Sequence, residues 1–365
     1  MLIYERPVID LFAGPGGWDV GLSSLGLTNT LGYEIDADAC ATAVAAGHDR
    51  EQADLADIGL ARAHAGIDGL VASPPCQGFS VSGLRRGIGD IPTIMQAVAD
   101  LGAGVDPHLV HDQLTRTCRD HRSAFVVVPL IWVLLTEPTW TCWEQVPAVL
   151  PLWQACAEVL SAAGWSAVAG TLSAEAYGVP QTRRRAVLVA SRRHEARLPA
   201  PTHSRYHSRD PRRLDDGVRP WVSMAQALEW GMTERPAHTV TSGGTGSGGG
   251  VEVFGNYSRR VVMQREIDEG RWLYPPEDGE DGMPAPGWRR SDGEHPTVAA
   301  VRPATTESMM TKATRVSISE AAVLQSFSAD YPWRGSRTSQ FGQVGNAVPP
   351  RLAARVVMAA LGSAG

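Results

Sequence analysis

RPVIDLFAGPGG, residues 6–17, joins a short apolar run to a glycine-rich turn. The apolar run is typical of a buried strand, and a helical pattern follows the glycines through Trp18, Leu22 and Leu25. A glycine-rich turn between a strand and a helix lets a ligand approach the backbone N–H groups at the positive end of the helix. The stretch therefore predicts the opening of an α/β domain with a ligand site at the turn; a purely structural turn is the alternative.

The alternation of strands and helices continues along the chain. Repeated strand and helix units are typical of an α/β fold with a mostly parallel sheet that is covered on both faces. We predict further strands at 30–36, 66–73, 139–146, 165–173 and 184–191, with helices over about 37–46, 125–135 and 151–163.

Two stretches interrupt this alternation. Residues 84–118 are Gly-rich, partly polar and longer than an ordinary connection, so we expect a mobile or functional loop there. Over 192–219 arginines outnumber acidic residues, and SGGTGSGGG at 242–250 is typical of a flexible tract. Helical periodicity then returns near the C-terminus.

These changes in composition predict two domains. The first, which contains the glycine-rich turn, comprises 1–191 and 305–365, with the C-terminal segment packing back on it. The second, smaller and less regular, comprises 192–304.

Composition and charge narrow the class of protein. The chain has 365 residues and a formal net charge of -6, which argues against a protein that coats nucleic acid but allows a local basic face. Because no apolar run approaches a membrane span and no signal peptide is evident, we expect a cytoplasmic protein that does not enter membranes. The five cysteines form no C-x-x-C pair, so we expect reduced thiols and no metal site.

Two acidic residues extend the glycine turn into a nucleoside site. Glu34 lies about 20 residues past the glycines, where a carboxylate can bind ribose hydroxyls. Asp54, near the end of the next unit, could accept a hydrogen bond from an adenine amine. No phosphate-binding lysine motif accompanies them, so an adenosyl cofactor without a triphosphate fits better than ATP.

VASPPCQGFS, residues 71–80, marks a second site at the end of another strand. Pro74 and Pro75 restrict the backbone that presents Cys76, which favours a nucleophile over a small buried apolar residue. Glu144, after the strand TWTCW, is a second candidate, with a surface carboxylate as the alternative. QTRRR at 181–185 precedes an apolar strand, and alternation would direct Arg183 and Arg185 to one face, suited to phosphate or a base carbonyl.

The motifs DLFAGPGG, YEID, SPPCQGFS, WEQVP, GVPQTRRR and QVGNAVPP, in this order, resemble the DNA cytosine-5 methyltransferase family of the prokaryotic type II kind. The resemblance implies a Rossmann-like S-adenosylmethionine-dependent methyltransferase fold with a smaller target recognition domain. It also implies transfer of a methyl group from S-adenosylmethionine to C5 of a flipped-out cytosine in a specific duplex sequence. The transfer would pass through a covalent bond from Cys76 to C6 and leave S-adenosylhomocysteine.

The resemblance also assigns roles to individual residues. Glu144 would activate the base at N3, Arg185 would contact the base carbonyl, and Arg183 would support the pocket or a phosphate. Asn346 would tether the C-terminal segment to the cofactor domain. The implied catalytic residues are Cys76, Glu144, Arg183 and Arg185, and the implied cofactor contacts are Asp10, Phe12, Gly14, Gly16, Gly17, Glu34, Ile35, Asp54, Leu55, Pro74, Asn346 and Ala347.

The chain departs from the family pattern at two places. The usual Glu-Asn-Val reads Glu-Gln-Val here, which changes the amide at Gln145 but keeps the acid, and we expect activity to survive. The interval from Cys76 to Asp120 is longer than the usual closing loop; it would contact DNA through Arg85 and Arg86, or form an exposed insertion.

Two other functions are alternatives to a DNA methyltransferase. One is the tRNA-methylating branch of the same fold, which has a smaller second domain, and the other is a catalytically silent DNA-binding regulator. The expected partner is double-stranded DNA, with a cognate restriction endonuclease acting separately, and we expect the enzyme to be a monomer.

Overall fold

A computed structural model of the chain describes residues 6–75, 78–79, 89–210, 212–228, 237–238, 272–273, 289–290 and 318–362. The strands are β1 (Val8–Leu11), β2 (Thr30–Glu34), β3 (Arg50–Gln52), β4 (Gly69–Ala72), β5 (Trp140–Gln145), β6 (Ser166–Ser173), β7 (Gln181–Thr182), β8 (Arg184–Ser191), β9 (Ala237–His238), β10 (Trp272–Leu273) and β11 (Arg289–Arg290).

The α-helices are α1 (Gly17–Ser23), α2 (Ala37–Ala45), α3 (Ile91–Gly102), α4 (Pro107–Thr117), α5 (Val128–Thr136), α6 (Leu150–Ala162), α7 (Met224–Leu228), α8 (Ile318–Leu324), α9 (Arg337–Asn346) and α10 (Pro350–Ala360). Short 3-10 helices span Ile58–Ala63, His121–Val127, Pro147–Val149 and Ala174–Tyr177.

The main sheet has seven strands in the order β3-β2-β1-β4-β5-β8-β6. The pairs from β3 to β5 are parallel, whereas β8 runs antiparallel to both β5 and β6. Every residue of β1, β4 and β5 is buried, as expected for strands covered on both faces. The predicted α/β fold with a mostly parallel sheet is therefore confirmed.

Helices cover the two faces of this sheet. The thiol of Cys142 in β5 lies 3.6 Å from the carbonyl oxygen of Val356 in α10, whereas the next side chain, Trp143, packs edge-on against Trp153 of α6. Because successive side chains of a strand point to opposite faces, α10 and α6 lie on opposite sides of β5. The core between α6 and the sheet is closed by buried tryptophan and aliphatic side chains.

The chain divides into two compact units. The first contains Met1–Ser173, Arg184–Pro201 and Val348–Gly365, and the second contains Ala174–Arg183 and Thr202–Ala347. Within the first unit α10 packs against α1, where a Cβ on Gly17 would overlap the carbonyl of Val348. The residue boundaries of the two predicted domains stay a prediction.

The expectation of a loop over 84–118 is wrong for most of that stretch, because it contains α3 and α4. Pro107 stands in the first turn of α4, and the Asp106 side chain accepts a hydrogen bond of 2.8 Å from the backbone N–H of His108. On α3 the residues Ile94, Val98 and Leu101 are buried at helical spacing. The length and glycine content of the segment indicated a loop, although the segment contains two amphipathic helices.

Several predictions lie outside the described residues. They concern Cys76, the loop residues Arg85 and Arg86, and the tract at 242–250.

Candidate active site

The glycine-rich turn after β1 has an unusual backbone. Phe12, Gly14 and Gly16 have φ angles of 58°, 55° and 110°, and Gly16 caps the start of α1. A positive φ is ordinary for glycine but strained for phenylalanine, so the surrounding structure must hold Phe12 in place. Its ring packs edge-on against Phe125, with ring centroids 5.6 Å apart.

Glu34, at the end of β2, is fixed by backbone donors. One carboxylate oxygen accepts a hydrogen bond of 2.9 Å from Gly14 N–H, and the other accepts bonds of 2.8 Å from the N–H groups of Ile35 and Asp36. The glycine turn and the β2 terminus are therefore held together by one carboxylate. Asp54 is exposed, and its side chain accepts a bond of 2.9 Å from Ala56 N–H.

These elements border a cavity of about 210 Å³. Five of the predicted cofactor contacts line it, namely Phe12, Glu34, Ile35, Asp54 and Leu55. The sequence reasoning missed the other lining residues, which are Ala53, Ala56, Pro75, His111, Thr115, His121, Ala124 and Phe125.

The missed residues come mainly from α4 and the 3-10 helix that follows it. A signal was present in the sequence, since Val110 and Leu114 have helical spacing and His111 lies beside them on the same buried face. Asp106 and Pro107 also form a typical helix start. These features would have placed a helix where a loop was expected.

Asp10 is wholly buried within β1 and does not line the cavity. Burial, with a smaller effect from the neighbouring Asp19, raises the pKa of its carboxyl well above the ordinary value. Beside it Asp19 forms a buried ion pair of 2.7 Å with Arg50, and a Cβ on Gly32 would overlap the Arg50 guanidinium. A network of buried charges thus underlies the glycine turn.

The residues before Cys76 are held from three directions. Ser73 N–H donates to the Leu11 carbonyl at 3.1 Å, and its hydroxyl accepts a bond of 2.9 Å from the Trp18 indole N–H. The Gln145 side-chain amide donates to the Pro74 carbonyl at 2.7 Å, and its oxygen accepts from Val146 N–H. Contacts to β1, α1 and β5 therefore fix the chain at Ser73 and Pro74.

Glu144, at the end of β5, is 5% exposed and forms an ion pair with Arg185 of β8, with 2.7 Å between Arg185 Nε and Glu144 Oε1. The two strands place these residues together because β5 and β8 pair antiparallel, with Gln145 opposite Ala186. Arg184, between the other two arginines of the motif, is exposed.

Arg183 belongs to the second unit and is buried. Its guanidinium donates to the carbonyls of Gly345 at 3.0 Å and Ala347 at 3.2 Å. Gln325 also donates to Ala347 O, at 2.7 Å. Arg183 and Gln325 therefore hold the turn at the end of α9, in which Asn346 is exposed and Ala347 is buried.

The four cysteines that the structure describes have raised thiol pKa values. Burial raises the pKa of Cys40 and Cys118 to about 11 and that of Cys156 to about 12, and it raises that of Cys142 further. None of these thiols is activated as a nucleophile.

Within the described ranges no group of three or more His, Cys, Asp or Glu side chains could hold a metal ion. None of the helices described is both long and apolar enough to cross a membrane.

Comparisons with known proteins identify the family and the individual proteins to which the chain is similar. The model of the family described as C-5 cytosine-specific DNA methylase matches residues 7–99 and 135–361. The type II methyltransferase M1.HphI of Haemophilus parahaemolyticus is 26% identical over 370 residues, which cover 97% of this chain and 86% of that protein. M.Eco47II of Escherichia coli is 25% identical, with 94% and 76% covered. The solved structure of S. pombe Dnmt2 methyltransferase is 13% identical and superposes with a TM-score of 0.55 over 98% of both chains.

Proposed function

Since the chain belongs to the C-5 cytosine-specific DNA methylase family, we propose that it methylates C5 of a cytosine in duplex DNA with Cys76 as nucleophile. The single observation that carries this proposal is the pair of contacts at the β5 terminus. Gln145 binds the carbonyl two residues before Cys76, and its neighbour Glu144 is paired with Arg185. A fixed backbone just before the thiol and a fixed carboxylate suit covalent activation of a base.

The cavity beside the glycine turn fits the adenosyl part of S-adenosylmethionine. Glu34 and Asp54 supply carboxylates for ribose hydroxyls and an adenine amine, and Ile35, Leu55 and Phe125 supply apolar walls for the base. Three backbone N–H groups already orient Glu34, so the carboxylate is preorganised for a ligand. When bound, S-adenosylmethionine supplies a methyl group activated by its sulfonium.

The Cys76 thiolate adds electron density to the cytosine ring, so that C5 can act as a nucleophile. The thiolate attacks C6 and the C5–C6 double bond opens, so that C5 would take the methyl group from the sulfonium of the bound cofactor, which would leave as the neutral thioether S-adenosylhomocysteine. Transfer of the C5 proton to water would then restore the double bond and expel the thiolate, so the enzyme would be regenerated. The target base must leave the stack for this attack, which requires base flipping.

Glu144 and Arg185 act on the same base. The Glu144 carboxyl protonates or hydrogen-bonds N3 and accepts from the exocyclic amine, which draws electrons from C6 and favours thiolate attack. Arg185 fixes the Glu144 rotamer through the 2.7 Å pair. A guanidinium carries five N–H donors, so Arg185 can also contact the base carbonyl. Arg183 supports the turn from Gly345 to Ala347 through its bonds to the two carbonyls.

The second unit would read the sequence around the target. Arginines in its described part are exposed and suit phosphate contacts, which give affinity without sequence preference. They are Arg205, Arg209, Arg212, Arg213 and Arg219. The type II methyltransferase relatives support a role in a restriction-modification context.

A methyl-transfer assay tests this function. Radiolabelled S-adenosylmethionine is incubated with duplex DNA and, in parallel, with tRNA, and bisulfite sequencing of the DNA maps the product. We expect label in DNA alone, at cytosines within one short sequence, and none with Cys76→Ser. Persistent transfer by Cys76→Ser would exclude the cysteine mechanism, and label in tRNA alone would exclude the DNA substrate.

A further inference from the structure

The helix α4 forms one wall of the cavity that we take as the cofactor site. The family model does not include this helix. The model leaves residues 100–134 unmatched, yet His111 and Thr115 of α4 line the same cavity as Glu34 and Asp54, which lie in the matched part of the chain. This wall therefore does not follow from the family model.

His111 is placed to bind a ligand. The residue is 6% exposed, and among the described residues its imidazole makes no hydrogen bond. A polar ring that faces a cavity needs a ligand or water as its hydrogen-bond partner. Because the ring lines the cavity, a ligand there can provide that partner.

The charge of the ring also suits the cavity. Burial lowers the pKa of His111, an effect strengthened by His108 and opposed by Asp112 and Asp54. A neutral imidazole presents one donor and one acceptor. Such a ring can hydrogen-bond an adenine edge without adding positive charge to a cavity that must hold a sulfonium.

The wall is anchored on several sides. Val110 and Leu114 of α4 belong to the core, and His108 lies within 3.3 Å of the Arg62 guanidinium in the 3-10 helix before β4. After α4, the buried Asp90 carboxylate accepts bonds from the N–H groups of Arg119 and Asp120, at 3.0 and 3.2 Å. The position of His111 is therefore set before any ligand binds.

We propose that His111 binds the adenine of S-adenosylmethionine and that Thr115 closes the cavity beside it. The proposal rests on the proposed function, because it takes the cavity to be the cofactor site. The hydroxyl of Thr115 donates to the His111 carbonyl at 2.9 Å, so its oxygen can still accept a hydrogen bond.

Binding of S-adenosylhomocysteine, measured by titration calorimetry on the full chain, tests this role without turnover. His111→Phe keeps a planar ring but removes both hydrogen-bonding atoms, and we expect binding about tenfold weaker, the loss typical of one neutral hydrogen bond. His111→Asn restores a donor and an acceptor and should recover part of the affinity. In the methylation assay His111→Phe should raise KM for the cofactor by a larger factor than it lowers kcat.

Two further variants on α4 control for the effect of a folding defect on binding. Thr115→Leu fills the cavity from an exposed position and should weaken binding at least tenfold, whereas Gln113→Leu, exposed on the same helix but outside the cavity lining, should not. Affinity within twofold of wild type for both His111→Phe and Thr115→Leu would overturn the inference. If wild type itself does not bind S-adenosylhomocysteine, the proposed function fails as well, and the two failures are thereby distinguished.

Discussion

At the scale of single residues, Gln145 shows how a departure from a family pattern is accommodated. A glutamine replaces the asparagine usual at this position, and its longer side chain spans from β5 to the Pro74 carbonyl. The same side chain accepts from Val146 N–H, so both ends of its amide are satisfied. Gln145 thus fixes the chain at Pro74, two residues before Cys76.

Gln145→Ala should lower kcat about tenfold and destabilise the fold by roughly 1–3 kcal/mol, because the buried Pro74 carbonyl loses its donor. The reaction rate of Cys76 with a small alkylating reagent should change as well, which a purely structural role far from the thiol would not cause. Gln113→Ala, on the exposed face of α4, is the control. Unchanged kcat and alkylation in Gln145→Ala would show that the contact does not position the thiol.

Glu144→Gln should reduce methyl transfer at least a hundredfold, since an amide cannot donate a proton to N3 in the same way. Binding of S-adenosylhomocysteine should stay within twofold of wild type, because Glu144 does not line the cofactor cavity. Single-turnover transfer and calorimetry measure the two effects. A variant that retains full activity would remove Glu144 from the catalytic residues.

Asp10 predicts a dependence of stability on pH. Its carboxyl pKa is raised on folding, so its contribution to stability is fully present below the ordinary value of 3.8 and is lost as pH rises through the raised pKa. Asp10→Asn cannot ionise, and the loss of stability from acid to neutral pH should therefore be smaller in this variant. Denaturant unfolding at a series of pH values measures the difference, and identical curves would contradict it.

At the scale of elements, β1 and its glycine turn were predictable because local chemistry specifies them. An apolar run of buried residues and glycines at positive φ leave few alternatives. The helices α3 and α4 were not predicted. The length and glycine content of their segment indicated a loop, although its apolar residues have helical spacing. The partners of Arg183 could not be predicted either, since carbonyls at Gly345 and Ala347 carry no side-chain signal.

The residues of the site also divide into those that local sequence specifies and those that tertiary packing decides. Glu34, Ile35, Asp54 and Leu55 follow strand ends, where parallel sheets bind ligands, and the structure brings them to one cavity. Phe125 and His111 reach that cavity from a segment remote in sequence. Tertiary packing decides such contacts, and no local pattern specifies them.

Gly32→Ala tests the buried charges beneath the turn. A Cβ there would overlap the guanidinium of Arg50 and break its pair with Asp19, and loss of a buried pair costs about 3–5 kcal/mol. Gly342→Ala, in α9 with open space around the added carbon, should be neutral or slightly stabilising. Chemical denaturation of both variants measures the contrast. Equal stability of the two would show that Arg50 moves aside without cost.

At the scale of the whole molecule, a chain of net charge -6 must bind a polyanion through local basic surface. The exposed arginines near the start of the second unit offer such a surface. Affinity would then come from phosphate contacts, and sequence choice from other side chains of the second unit.

Arg212→Ala combined with Arg213→Ala should weaken binding of duplex DNA about equally for all sequences and reduce the slope of log affinity against log salt by about 2. Both residues are exposed, so the fold and S-adenosylhomocysteine binding should be unaffected. Arg116→Ala, in an exposed ion pair with Asp112 on α4, is the control. A salt slope equal to that of the control would place the phosphate contacts elsewhere.

The most direct measurement is covalent trapping of the enzyme on duplex DNA that contains 5-fluorocytosine, with S-adenosylmethionine present. Fluorine at C5 cannot leave as a proton does, so the bond from the thiol to C6 should persist after methyl transfer. We predict a denaturation-resistant adduct that mass spectrometry maps to Cys76 and that Cys76→Ser abolishes. An adduct at Cys40, Cys118, Cys142 or Cys156, or no adduct from an enzyme that methylates cytosine, would contradict the mechanism.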